Sequence, residues 1–231
     1  MTTNSRQKRI ALGQAIRENR TYFLAYFLLL TLGCFLLVRI PVGNENLYFV
    51  QFRGSIWDDI FKITTKLAEP LVIVPIILLS LFISFRKTVS ILAVIAITMI
   101  ITSLAKTFFY HPRPVLYFHQ LDRLAELIPV DGAPLLTGHS SFPSGHTMAA
   151  FSIFTLLALQ SKHKGGIGAL FLLLATAVGL SRIYLGQHFL KDAIAGSIFG
   201  VTIALVLFVL FERLAHHPKW NRNILTLFKH K

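Results

Sequence analysis

Charge is scarce in this chain, and acid is scarcer than base. Only 14% of the 231 residues are charged, and ten Asp and Glu stand against 23 Lys and Arg. A soluble domain usually carries about 25% charged residues, so a water-exposed surface all round is excluded. Cysteine is nearly absent. Cys34 stands alone inside an apolar run, which excludes a disulfide within the chain, and no Cys/His spacing of a metal site occurs. Internal repeats and low-complexity stretches are lacking too. So is the basic face interleaved with exposed aromatics that a nucleic-acid partner would need.

What the chain has instead is apolar length. Hydrophobic residues make up 54% of it, and the mean hydropathy is +0.64. Runs of about 20 apolar residues, enough to cross a bilayer, recur along it. They predict an all-α integral membrane bundle forming one domain over 1–231, with a basic segment at 1–20, a core at 21–214 and a basic tail at 215–231. Six spans are expected, over Thr21–Val38, Leu67–Phe85, Thr88–Phe109, Pro143–Gln160, Ile167–Tyr184 and Asp192–Phe211. The first run is too long for a signal-peptide core and no small-residue cleavage site follows, so it reads as an uncleaved span.

The segments between spans carry their own signals. Pro41-Val42-Gly43-Asn44 breaks the first span, and Glu45–Phe49 reads as loop. Ser55 with Asp58 fits a capping box. After it, Ile56, Trp57, Ile60, Phe61 and Ile63 give an amphipathic helix lying at the interface. Glu69, just before Pro70, reads as a solvated helix start. The longest loop, 111–142, is expected to hold a short amphipathic helix through Leu121, Leu124 and Ile128, with a turn at Thr137–Ser141. Gly196 and Gly200, four apart, make a small-residue face for close helix packing.

Six spans put both termini on one side, and most Lys and Arg gather there. Positive residues flank the cytoplasmic ends of spans, so the termini are expected in the cytoplasm. Three polar motifs then fall together at the outer ends of the later spans. The first is Lys106, six residues, then Arg113-Pro114. The second is Pro143-Ser144-Gly145-His146. The third is Ser181-Arg182, five residues, His188, three residues, Asp192. Singly each is commonplace. Together they supply three cations, two histidines, a carboxylate and a Ser-Gly turn opening an apolar stretch, a set suited to gripping a phosphate.

In order and spacing these motifs resemble those of the type 2 phosphatidic acid phosphatase (PAP2) superfamily. The resemblance implies a metal-independent lipid phosphatase in a bacterial inner membrane, with no cofactor and the bilayer as its setting. His188 would be the nucleophile, forming a phosphohistidine, and Asp192 would orient it. His146 would protonate the leaving oxygen and then activate water. Lys106, Arg113 and Arg182 would hold the phosphoryl oxygens, helped by Ser144 and the Gly145 amide, with Pro143 and Ser181 as possible supports. The substrates it implies are undecaprenyl pyrophosphate, phosphatidylglycerol phosphate, phosphatidic acid or lipid A phosphate. Phe189-Leu190-Lys191 departs from the aromatic-Pro-small run common in the third motif, while His188 and Asp192 are kept. His111, His119 and His139 match no metal spacing. Two other readings stand beside this one: a vanadate-dependent haloperoxidase, which the membrane spans oppose, and a silent lipid-phosphate binding or transport protein. Oligomeric state is left open.

Overall fold

Every regular element among the described residues is helical. The structure, a computed structural model, describes residues 12–54, 56–214 and 218–228. Ser55, the first half of the expected capping box, lies outside them, as do most of the basic start and parts of the tail. Asp58, the second half, accepts from the Gly54 N–H at 2.8 Å.

Helix α1 (Leu12–Glu18) turns at Asn19 into α2 (Arg20–Arg39). Pro41 ends α2, and Gly43 adopts φ 93°, a conformation open mainly to glycine. The expected loop beyond it is a helix, α3 (Asn44–Val50). It then gives way to α4 (Ile56–Thr65), whose Ile56, Trp57, Ile60 and Ile63 are exposed while Asp58 and Thr65 are buried. That is the division predicted for an interfacial helix.

The expected second span, Leu67–Phe85, is shortened to a helix that starts at Pro70. A 3₁₀ turn (Lys66–Ala68) and the extended Glu69 separate α4 from α5 (Pro70–Leu81), and the two parts meet at a 43° bend. Proline at the first helical position costs nothing there, but it stops α4 from running on. Helix α6 (Phe85–Phe109) starts at an N-cap, with the Lys87 N–H donating to Ser84 Oγ, and stops at Tyr110, which takes φ 47°. The long loop holds α7 (Pro114–Gln120) and a 3₁₀ turn (Leu124–Glu126). The helix therefore precedes the stretch in which it was expected. Proline at N1 of α7 starts it early, and the Asp122 backbone at φ 54° follows its end.

The remaining elements are α8 (Gly145–Gln160), α9 (Gly166–Tyr184), α10 (Leu190–Leu214), a 3₁₀ turn (Pro218–Asn221) and α11 (Ile224–Phe228). Four helices, α2, α6, α9 and α10, are long and apolar enough to cross a membrane, and the bent α4–α5 pair is a fifth candidate. The fourth expected span, α8, has 16 residues. At 1.5 Å per residue it falls short of a hydrocarbon core of about 30 Å.

Helix α8 is instead the centre of the bundle, with both its faces covered. Met148, Ile153 and Leu156 pack with Ile91, Val94 and Ala204, while Phe151 and Phe154 pack with Tyr26, Leu172 and Val201. Buried hydroxyls are paired, Tyr22 with Thr155 at 2.5 Å and Thr98 with Ser152 at 3.1 Å, as a low-dielectric interior demands. Helix α10 lies closest to α8. A Cβ on Gly196 would come 2.8 Å from Ser144 O, and one on Gly200 would come 2.7 Å from Met148 O. The two-glycine face is thus an internal seam. On α2, Leu24, Phe27, Leu28, Leu32 and Phe35 remain exposed, the pattern of a helix facing lipid.

Candidate active site

The seam between α8 and α10 brings the second and third motifs together. Ser144, fully buried, caps α8. Its Oγ accepts from the Thr147 hydroxyl at 2.8 Å and from the Thr147 N–H at 3.4 Å. Its own N–H donates to Asp192 O at 3.0 Å. The helix therefore opens at Gly145, two residues later than Pro143, and Pro143 is joined to Phe142 by a cis bond. Gly145 leaves room for α6: a Cβ there would come 3.1 Å from Thr102 Cγ2 and 3.9 Å from Lys106 Nζ. The Lys106 ammonium thus sits beside the first turn of α8, where free backbone amides also favour an anion.

Asp192 lies in the first turn of α10, a favourable place for a carboxylate. It is fully buried, and its Oδ2 accepts from Ser141 Oγ at 2.5 Å and the Phe189 N–H at 2.9 Å. The same oxygen is 3.4 Å from His188 Nδ1. That leaves Nε2 of His188 as the ring atom free to react. His188 is buried, and burial lowers its pKa to about 4, a shift that Asp192 opposes and Arg182 and Arg113 reinforce. Its imidazole is neutral at pH 7.

Two arginines close on this pair. Arg113 is buried and donates from Nη1 to Gln187 O at 3.0 Å and from Nε to Ser140 Oγ at 3.2 Å. Burial lowers its pKa from 12.5, with Asp192 opposing, and it stays charged at neutral pH. Arg182 donates from Nη1 to Thr65 Oγ1 at 2.7 Å, while its Nε has no partner. Lys106, Arg113, Arg182 and His188 all lie within Coulombic reach of His146. His146 itself is on the rim, its Nε2 3.7 Å from Glu69 Oε1. A cavity of ≈ 300 Å³ opens between His146, Arg182, Glu69, Thr65 and Gln187, roofed by the 132–136 stretch.

Ser181 stands apart from this set. Its hydroxyl donates to Val178 O at 2.7 Å, within its own helix. His139 stacks on Tyr110, with ring centroids 4.3 Å apart. Among the described residues no three His, Cys, Asp or Glu side chains converge as a metal site.

Several supporting residues escape sequence reasoning. Asn46 Nδ2 donates to Ile183 O at 3.0 Å and His188 O at 3.1 Å, and Glu45 Oε1 accepts from the Leu190 N–H at 3.1 Å. Together they clasp the turn that carries His188. Ser141 and Gln187 are equally central, and of the two only Gln187 adjoins a motif residue, His188.

The sequence profile described as the PAP2 superfamily matches residues 87–215, more than half of the chain. The chain belongs to the PAP2 superfamily. Over 69 residues it is 48% identical to the bacitracin transport permease protein BcrC of Bacillus licheniformis, covering 30% of this chain and 32% of that protein. Over 87 residues it is 37% identical to phosphatidylglycerophosphatase B of Bacillus subtilis, covering 34% and 43%. The chain thus spans less than half the length of these two relatives. The crystal structure of Aquifex aeolicus LpxE matches with a TM-score of 0.56 and 27% identity, over 70% of this chain and 91% of that one. A transmembrane PAP2-type phosphatidylglycerolphosphate phosphatase from Bacillus subtilis shares the fold, with a TM-score of 0.60 at 24% identity over 85% and 96%. With its long apolar helices, this PAP2 member is a multi-pass membrane protein.

Proposed function

We propose that the chain hydrolyses a phosphate monoester or diphosphate on a membrane lipid headgroup. The observation that carries the reading is the buried His188 held against Asp192 with Arg113, Arg182 and Lys106 close by. Nε2 of His188 attacks phosphorus, and the bond to the leaving oxygen breaks. His146, protonated, gives that oxygen its proton. Asp192 accepts from Nδ1–H and stabilises the positive charge of the phosphohistidine. His146, now neutral, takes a proton from water. The water oxygen bonds to phosphorus, the N–P bond breaks, and phosphate departs with its electron pair returned to Nε2. The three cations and the amides opening α8 neutralise charge on the phosphoryl oxygens throughout.

The substrate classes this reading admits are undecaprenyl pyrophosphate, phosphatidylglycerol phosphate, phosphatidic acid and lipid A phosphate. The excess of Lys and Arg near the termini supports a cytoplasmic placement of both ends in a bacterial inner membrane, with the site facing outward. The test is phosphate release from a panel of these lipids by purified protein in detergent. Release is expected from at least one, and His188→Ala should reduce it to background. A name among the relatives, a transport permease, favours a second reading: a lipid-phosphate carrier with a silent site. A carrier would release no phosphate from any lipid.

A further inference from the structure

Glu69 occupies an odd position for a carboxylate. It is the N-cap residue of α5, extended at φ −103° and ψ 162°, yet its side chain makes no capping hydrogen bond. A glutamate is not among the residue types that serve well in that place. The carboxylate turns into the cavity instead, Oε1 standing 3.7 Å from His146 Nε2. The break between α4 and α5 is what brings it there.

The surroundings of His146 give that contact its meaning. Arg182 faces the ring from α9, Lys106 from α6, Arg113 from the loop before α7, and His188 from the turn before α10. Lys62 and Lys66 stand on the cavity wall. Lys62 is already matched by Asp59 at 2.9 Å. Among the described residues lining the cavity, Glu69 is the one carboxylate. Burial, and after it these positive neighbours, hold the His146 pKa well below the usual imidazole value and so disfavour its imidazolium, which a nearby anion favours. The first chemical step needs that imidazolium.

We propose that Glu69 is a positioning residue for His146, an anion set 3.7 Å from its Nε2 that favours the protonated ring, so that Nδ1 exchanges the proton with the leaving oxygen. In the first step the Nδ1 proton passes to the leaving oxygen as the P–O bond breaks. In the second, Nδ1 takes a proton from the water that attacks phosphorus. This inference rests on the phosphatase reading and adds to it the group that keeps the acid charged.

The test compares the unmodified protein with Glu69→Gln on one lipid chain carried as two substrates, farnesyl monophosphate and farnesyl diphosphate. The monophosphate expels an alkoxide and depends on the acid; the diphosphate expels a phosphate and depends on it less. Glu69→Gln should lower kcat on the monophosphate about tenfold and on the diphosphate less than about twofold, within the range general acids contribute. The alkaline limb of kcat against pH should move down by about one unit, because a tenfold change in the proton equilibrium is one pKa unit. Glu69→Asp, which keeps the charge and shortens the reach, should fall between the two and serves if the glutamine variant folds poorly. In a His146→Ala background Glu69→Gln should add no further loss. Equal losses on both substrates with an unmoved pH limb, or additive losses in the double variant, would overturn the pairing. No release by the unmodified protein from either substrate would instead sink the phosphatase reading, and the inference with it.

Discussion

His188 reaches its partner from inside the protein. With its pKa lowered to about 4 from 6.5, the reactive neutral ring persists as acid is added. Protonation removes the lone pair, so activity should fall only as the pH drops through that lowered value. A profile of kcat/KM against pH should place the acid limb nearer 4 than 6.5. The arginines are not exchangeable for lysine at such a site, because their planar forks meet two oxygens at once. Arg182→Lys also breaks the bond to Thr65 Oγ1. It should weaken binding of inorganic phosphate or vanadate, used as inhibitors, about tenfold or more, the cost of a charge-assisted hydrogen bond of about 1.5–3 kcal/mol. The motif residues were legible at this scale because their chemistry and spacing are written locally. Ser141 was not, since a serine in a polar loop gives no sign that its hydroxyl will end 2.5 Å from Asp192.

Among the elements, α3 shows what local reading misses. Seven residues are too few for a periodic pattern, and short helices owe their stability to packing rather than propensity. Glu45 and Asn46, buried at 8% and 0% exposure, looked like ordinary loop polars. Their partners lie over 130 residues away, at Ile183, His188 and Leu190. Asn46→Ala removes a donor from His188 O and one of the donors to Ile183 O, which keeps the Gly186 N–H; the loss in a buried site should cost about 1–3 kcal/mol. A lowered thermal midpoint together with a kcat that falls more than KM rises would mark it as the clasp on the His188 turn. The second span was legible in part. The sequence separates an interfacial helix from a span begun at Leu67, but not the start of α5 at Pro70 or the 43° angle between α4 and α5. The long spans α2, α6, α9 and α10 were legible because the lack of water inside a bilayer forces unbroken apolar helices.

For the whole molecule, the proposed chemistry makes two demands that can be measured. Because the three cations and two histidines supply all the charge the reaction asks for, turnover in excess EDTA should match turnover without it. A drop that added magnesium restores would contradict this. The proposed lipid substrate requires entry from the bilayer, so a long-chain phosphate should show a higher kcat/KM than a water-soluble short-chain one. Equal values would argue that substrate arrives from the aqueous side.

Gly196 and Gly200 set a dimension that the motifs alone do not. They let α10 lie directly on the backbone of α8, and Ser144 N–H binds Asp192 O at the top of the same contact. One methyl added at Gly196 would act as a shim, prising apart the two supports from which His146 and Asp192 project. The gauge of the proposed phosphorus site is thus fixed by the α8–α10 contact, and any widening to admit a substrate falls to the loops.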